Sequence, residues 1–342
     1  MNKISIRLDE INHILVCRLR FMGDVILTTP LLHVLREHFP QSKITYLTES
    51  PYHTLLENHP DVDEILSYDL KNRWSQTKIL SKLIKHKFDL VIDLFGNPRS
   101  ALWSYLSGAR YRIGGHFRGR SVFYTHKIRD DGKPKSAIAF HMGYLEPLHL
   151  SYRISAPFIV ITDNEKKWAR DYLQNKGYQL DRKMVVIHPG ASWPAKKWLS
   201  SRFSILANRL VSEIGAQVFF DTSPGEQNLV RSVMEACSFS TMEPVVLTLR
   251  QLAAILYFAD LLISNDCGVM HLAPAVGTKT IGIFGPSEPD VWFPYQLEKG
   301  HRYIYPEIEC SHCHRDFCDM LKCMQAIQVE DVFHAVVQAL NT

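Results

Sequence analysis

Short β-branched runs alternating with helical patterns constrain this chain more than any other feature. HILVCRL, KITYLT, EILSY and FDLVIDLFG are followed in turn by helical patterns over 24–38, 51–59, 74–86 and 98–107. Strand and helix repeated at this spacing argue for a parallel sheet covered by helices on both faces. The pattern lapses over about 108–160, where GARYRIGGHFRGRSVFYTHKIRDDGKPKSAIAFHM is rich in glycine and arginine and poor in periodicity. That stretch reads either as an excursion reaching for a ligand or as a long surface loop. Beyond the polar TDNEKK the alternation restarts: MVVIHPG, helix 200–214, AQVFFDTS, helix 225–236, VVLT, helix 249–258, DLLISND, helix 269–276 and TKTIGIFG.

The expectation is therefore an α/β chain of two Rossmann-like domains, each with a parallel sheet. A length of 342 residues, more than one core usually supports, points the same way. The first domain spans 1–164 and the second 165–326. A hydrophobic content of 46% and a charged content of 22% are those of a folded globular protein.

The formal charge of +4 is mildly basic, with no lysine and arginine block of nucleic-acid type. An acidic small substrate or an anionic membrane surface fits that balance. MNKISIRLDEINHILVCRL lacks the apolar run of a signal peptide, and no segment approaches the roughly 20 apolar residues of a spanning helix. A cytoplasmic protein is expected.

In open parallel sheets ligands sit beyond the carboxyl ends of the strands, and the chemistry-bearing residues of this sequence fall at those loops. SNDCGVMHLA sets Ser264, Asn265 and Asp266 at a strand end, then Gly268, then an apolar helix. The free N–H groups of a helix N-terminus make a diphosphate seat there, unless Asp266 simply caps the helix. ASWPAKKW carries Lys196 and Lys197 between strand and helix, where a lysine either neutralises a departing phosphate or is merely solvated. Glu226 in DTSPGEQN either caps a helix or accepts hydrogen bonds from ribose hydroxyls. With no G-x-G-x-x-G after the first strand and no G-x-x-x-x-G-K-[ST], a dehydrogenase or kinase is disfavoured.

Seven cysteines are present. Cys17, Cys237 and Cys267 lie in apolar or strand-end contexts where a thiol acts as a small hydrophobe. Cys310, Cys313, Cys318 and Cys323 cluster as C-x2-C-x4-C-x4-C, a spacing compatible with structural zinc. The short loops differ from paired C-x2-C knuckles, so reduced thiols and no metal are expected in a cytoplasmic chain.

CRLRFMGDVILTTPLLHVLRE, IHPGASWPAKKW, SNDCGVMHLAPAVGTKTIGIFGPSEP and CSHCHRDFC followed by CM together resemble the glycosyltransferase family 9 heptosyltransferases of lipopolysaccharide biosynthesis. The resemblance runs over nearly the whole chain. It implies a GT-B fold, two Rossmann-like domains facing a central cleft, with a final helix over 327–342 packing back on the N-terminal domain.

It also implies an inverting, metal-independent transferase without cofactor. Heptose would move from the ADP-heptose donor to a hydroxyl of the lipopolysaccharide core acceptor, at the cytoplasmic face of the inner membrane and in peripheral contact with it. The cysteine cluster inclines the likeness towards the second heptosyltransferase of the series. By motif, the catalytic base falls on Asp24 beside Gly23, and the transferase lysine on Lys196. Donor contacts fall on Arg18, Ser192, Glu226, Asp266, Gly268, Val269 and His271. His116, Arg118 and Arg120 in the excursion are candidates for the anionic acceptor. Cys267 stands where relatives often carry threonine. The rival readings are a transferase or epimerase using another nucleotide sugar, and a non-catalytic sugar-nucleotide or lipopolysaccharide-binding protein of the same fold.

Overall fold

The computed structural model describes residues 5–241, 243–310 and 312–342. The chain forms two compact units, Met1–Val160 and Ile161–Thr342, dividing a few residues before the 164/165 boundary expected from composition.

In the first unit six strands form one sheet: β1 (His13–Cys17), β2 (Lys43–Glu49), β3 (Glu64–Tyr68), β4 (Leu90–Asp93), β5 (Tyr111–Gly115) and β6 (His126–Ile128). The order is β3-β2-β1-β4-β5-β6 and every pairing is parallel. Because the chain works outward from β1 to β3 and then returns beside β1 as β4, the winding reverses between β1 and β4. That reversal opens a crevice beyond their carboxyl ends. Fully buried strands explain the unbroken apolar runs: Ile14 to Cys17 and Leu90 to Ile92 are wholly shielded from solvent. Helix Arg73–Lys85, capped by the Asn72 side chain, covers one face by setting Ile79 and Leu83 against Leu15, Leu47 and Val91.

The stretch 108–160 is more ordered than its composition suggests. It supplies β5 and β6 to the sheet, then helix Ala137–Met142 capped by Ser136. Arginine hides the pattern: Arg112 turns back to donate from Nε to the Phe123 carbonyl at 2.8 Å, so a charged residue fills a strand position.

In the second unit β7 (Met184–His188), β8 (Gln217–Phe220), β9 (Leu261–Asn265), β10 (Lys279–Ile283) and β11 (Arg302–Ile304) form a parallel sheet of order β11-β10-β9-β7-β8. Here the winding reverses between β7 and β9, whose register pairs His188 with Ser264 and so levels their carboxyl ends.

Two expectations need correction. VVLT forms no strand: Val246 makes one isolated bridge to Thr222, and Val245 and Val246 are exposed. The segment expected as helix 51–59 is a short 3-10 turn, Tyr52–Leu56. The final helix, Val329–Asn341, gives its apolar face to the second unit's core. Val332, Phe333 and Val336 are buried with Phe203, Ile281 and Ile283, each worth about 1.5–3 kcal/mol relative to exposure. Trp198 Nε1 donates to the Ile327 carbonyl at 3.0 Å, and Lys279 Nζ to that of Ala339 at 2.9 Å, so the attachment is polar as well as apolar. Among the described residues no helix is long and apolar enough to cross a membrane.

Candidate functional site

At the first unit's reversal point the loop leaving β1 carries Arg18 and leads into helix Met22–Leu27, of which Gly23 is a buried member. Asp24 sits in the first turn, where its Oδ2 accepts the Phe21 N–H at 3.1 Å. Its Oδ1 lies 2.5 Å from Arg18 Nη2, and the two side chains are 12% and 13% exposed. Arg18 is fixed in turn, donating from Nη1 to the Leu94 carbonyl at 2.8 Å and lying over the Phe95 ring. The carboxylate among apolar residues is thus held from both sides, with one edge reaching solvent. A carboxylate oxygen carries two lone pairs, so each oxygen can accept one further proton-bearing group.

Two neighbours were not singled out from sequence. Asp93, the last residue of β4, accepts the Tyr124 hydroxyl at 2.7 Å and the Phe95 and Gly96 amides, yet complete burial pushes its carboxyl above the ordinary carboxylate range. Its position at the end of FDLVID, a carboxylate closing a buried strand, is the signal that could have found it. His141 is buried with Nδ1 unpartnered; burial first, then the Arg18 charge, pushes its imidazole down to about 3. Nothing in SAIAFHM signals that role.

In the second unit Lys196 is not a solvated lysine. Its Nζ stands 2.6 Å from Asp266 Oδ2 and 4.5 Å from the Trp193 ring centre. The Ser287 hydroxyl also donates to Asp266 Oδ2. Asp266 therefore spends its carboxylate on Lys196 and Ser287, and the N-cap of helix Gly268–Ala275 is Cys267, which makes no side-chain capping bond. The first-turn N–H groups, Gly268 and Val269 among them, have no acceptor within the helix. Fixed amide dipoles and a held ammonium at one strand end favour an anion.

Glu226 stands at the N-cap of helix Gln227–Glu235, but its side chain makes no capping bond. It reaches back to the loop after β7, where Oε1 accepts the Ala191 N–H at 3.0 Å and lies 3.0 Å from Lys197 Nζ. The approach is close enough that a Cβ on Gly190 would stand 1.9 Å from Glu226 Oε2. Asn265 ties these loops together: its amide donates to the Pro189 carbonyl at 2.8 Å and its oxygen accepts the Trp198 N–H at 3.0 Å. His271 is buried with Nδ1 2.7 Å from the Tyr295 hydroxyl, and Ser192 is exposed on the same loop as Lys196.

The structure brings together Arg18, Gly23 and Asp24 in one unit, and Lys196, Glu226, Asp266, Gly268, Val269 and His271 in the other. His116 and Arg118 are exposed after β5, while Arg120 lies over the Phe117 ring at 4.8 Å. Cys310, Cys313, Cys318 and Cys323 line one cavity of about 220 Å³ with Ala195 and Pro286. Among the described residues no three potential ligands are grouped so as to hold a metal ion. Cys267 departs from the small-hydrophobe reading, because its Sγ is 3.2 Å from Ser264 Oγ.

The profile of glycosyltransferase family 9 (heptosyltransferase) matches residues 76–324. A curated relative, the lipopolysaccharide core heptosyltransferase OpsX of Haemophilus influenzae, is 27% identical over 300 residues, covering 85% of this chain and 84% of that protein. A solved glycosyl transferase family 9 structure from Veillonella parvula superposes with a TM-score of 0.85 at 27% identity, covering 98% of this chain and 99% of that one. The structure of Escherichia coli ADP-heptose lps heptosyltransferase II, at 21% identity, shares the fold with a TM-score of 0.79 over 96% of this chain and 98% of its own.

Proposed function

The chain belongs to glycosyltransferase family 9, a family of GT-B glycosyltransferases, and on that premise we propose that it transfers heptose from ADP-heptose to a hydroxyl of the lipopolysaccharide inner core with inversion. The observation that carries this reading is the Lys196–Asp266 pair at the N-terminus of helix Gly268–Ala275. It supplies, in one place, what a nucleoside diphosphate leaving group requires: fixed N–H donors and a positioned cation.

Asp24 takes the proton of the acceptor hydroxyl while its oxygen forms a bond to the anomeric carbon; the bond from that carbon to the β-phosphate breaks, and ADP leaves. A carboxylate suffices because the hydroxyl becomes acidic only late in the displacement. One displacement inverts the anomeric centre. Arg18 keeps Asp24 aimed. Lys196 and the Gly268 and Val269 amides take up the charge on the departing diphosphate, with Ser192 and His271 as further donor contacts. Glu226 accepts the ribose hydroxyls from its post against Gly190. In this reading no added metal is required, and the four clustered thiols stay reduced. His116, Arg118 and Arg120 meet the anionic acceptor.

Peripheral contact with an anionic membrane is supported by helix Arg73–Lys85. Between Asp69 and Asp89 there is no acidic residue. Lys71, Arg73, Lys78, Lys82, Lys85 and Lys87 are all exposed, with Trp74 79% and Ile84 54% exposed among them. An exposed tryptophan on a lysine-rich helix suits the headgroup layer of anionic lipid, where each basic residue contributes about 1 kcal/mol.

The test is transfer by the purified protein from ADP-heptose to a panel of truncated lipid A core acceptors, following ADP release and product mass with and without chelator. A heptosylated product supports the reading and names the acceptor. ADP binding without product for any acceptor overturns it in favour of another sugar or a binding protein.

A further inference from the structure

Four side chains at the carboxyl ends of β7, β8 and β9 have no part in the transfer just described. His188, the last residue of β7, is buried with Nδ1 2.7 Å from Asp221 Oδ2, the two side chains 2% and 3% exposed. The strand register sets His188 opposite Ser264, whose hydroxyl lies against the Cys267 thiol, and imidazole and thiol interact directly. Ser264 Oγ, on β9, lies 3.2 Å from the same sulfur. Cys267 is partly exposed and stands at the N-cap of helix Gly268–Ala275, where the helix dipole favours negative charge. Thiol, imidazole and carboxylate thus form a chain in which a base orients on a third group, the arrangement that activates nucleophilic sulfur.

We propose that Cys267 is a peroxide-sensitive modification site, a thiolate held by His188 and Asp221 whose oxidation closes the neighbouring anion seat at Gly268 and Val269. The second half of this statement rests on the donor reading above. Burial by itself would push the Cys267 thiol up; His188, the Ser264 hydroxyl and the Met270 amide outweigh it and hold the thiol below its ordinary value. Burial would likewise push the His188 imidazole down, but Cys267 and Asp221 hold it well above its ordinary value. The groups facing the sulfur are therefore His188 from β7 with Asp221, just past β8, behind it, Ser264 from β9 and the Met270 amide from the helix. Asp266, adjacent in sequence, has its carboxylate on Lys196 and Ser287.

In the reaction with hydrogen peroxide the Cys267 sulfur attacks one peroxide oxygen. An S–O bond forms and the O–O bond breaks. Sulfur is oxidised by two electrons to the sulfenic acid, and the departing hydroxide takes the His188 proton and leaves as water. Two equivalents of a small thiol return the sulfenic acid to the thiol, releasing water and the small-molecule disulfide. The added oxygen accepts hydrogen bonds from the first-turn amides that a phosphate would otherwise use. Other thiols lack this setting: burial pushes Cys17 and Cys323 up, and Cys237 up to about 11.

The experiment has two arms. In the first, iodoacetamide labelling of each cysteine is followed by peptide mass between pH 6 and 9, with the exposed Cys310 and Cys313 as internal references. An ordinary thiol, with a pKa near 8.5, is only about 1% thiolate at pH 6.5, so Cys267 is expected to label at least about tenfold faster there, with a flat profile up to pH 8. Asp221→Asn should slow Cys267 and leave the references unchanged. A Cys267 rate that rises with pH in step with Cys310 and Cys313 overturns the proposal, and that result needs no variant. In the second arm, protein treated with hydrogen peroxide is assayed for a trapped sulfenic acid at Cys267 and for ADP affinity, before and after dithiothreitol. The expected result is about a tenfold or greater loss of affinity, reversed by the reductant and absent in Cys267→Ser. Full oxidation with unchanged ADP affinity overturns the link to the anion seat. If untreated protein fails to bind ADP, the donor reading has failed, and the labelling arm decides the thiolate by itself.

Discussion

The Lys196 ammonium lies 2.6 Å from the Asp266 carboxylate, and Asp266 is only 5% exposed. The lysine therefore holds a buried carboxylate as well as facing the start of a helix. Lys196→Met should lower stability by about 1–3 kcal/mol, because the buried Asp266 carboxylate loses its counter-charge and keeps only the Ser287 hydroxyl as a side-chain donor. It should also lower transfer by about 100-fold or more. Adding Asp266→Asn restores stability and leaves transfer low. Urea unfolding and ADP-release kinetics on the single and double variants separate the two roles, and recovery of transfer in the double variant would refute the catalytic one.

Asp24→Asn keeps an oxygen to accept the Phe21 N–H but removes the proton acceptor and the charge partner of Arg18. Transfer should fall by about 10²–10⁴-fold with ADP binding unchanged. Calorimetric ADP binding beside a kcat measurement reads both, and near-normal kcat would remove Asp24 from the mechanism.

Gly190→Ala brings a methyl group against Glu226 Oε2, at 1.9 Å for the present geometry. The carboxylate is the free end of a side chain and can swing away, so folding is expected to suffer little. Its bonds to Ala191 and Lys197 are lost in doing so. Weakened ADP affinity at unchanged melting temperature is the predicted signature.

Stability should fall in mild acid. Burial lowers His141 to about 3, and His59 and His301 to about 4, against about 6.5 in the unfolded chain. Between those values the unfolded chain binds more protons, so the stability these neutral rings contribute is complete above pH 6.5 and is lost progressively as pH falls. His188 acts in the opposite sense: its contribution is complete below the unfolded value of about pH 6.5 and is lost as pH rises from there through the raised folded value. Urea unfolding at pH 5 and pH 7 checks the balance, and His141→Gln should flatten the slope.

Binding to vesicles containing phosphatidylglycerol should be lost on reversing Lys78, Lys82 and Lys85 to glutamate, and should weaken with salt. Trp74 fluorescence, shifting blue only with anionic vesicles, supplies an independent readout. Equal binding to neutral phosphatidylcholine would argue against this surface.

The parallel sheets were legible because strands buried on both faces are written as continuous apolar runs, HILVC and LLISN among them. β5 and β6 were not, since polar residues fill strand positions there: Arg112, bonded to the Phe123 carbonyl 11 residues on, and His126, bonded to the Thr125 hydroxyl. VVLT misled in the other direction, being β-branched but exposed. At the site, residue types at strand ends pointed to Lys196, Glu226 and Asp266, while Asp24 came from the resemblance of its Gly-Asp pair to the family's. Their partners were not legible, because whether Asp266 caps a helix or holds Lys196 depends on loops brought together only by the fold. His188, Asp221 and Cys267 escaped for the same reason: 33 residues separate the first two, and the strand register alone makes them neighbours.

The last helix completes the second unit's core from residues 329–341, and this sets a schedule for synthesis. The first unit has all its strands and helices once residue 160 has left the ribosome and can close while translation continues. The second must wait with Phe203, Ile281 and Ile283 uncovered until Val332, Phe333 and Val336 emerge. A ribosome stalled within the final codons of that helix would release a chain with one finished half and one sticky half, a ready target for chaperones and proteases.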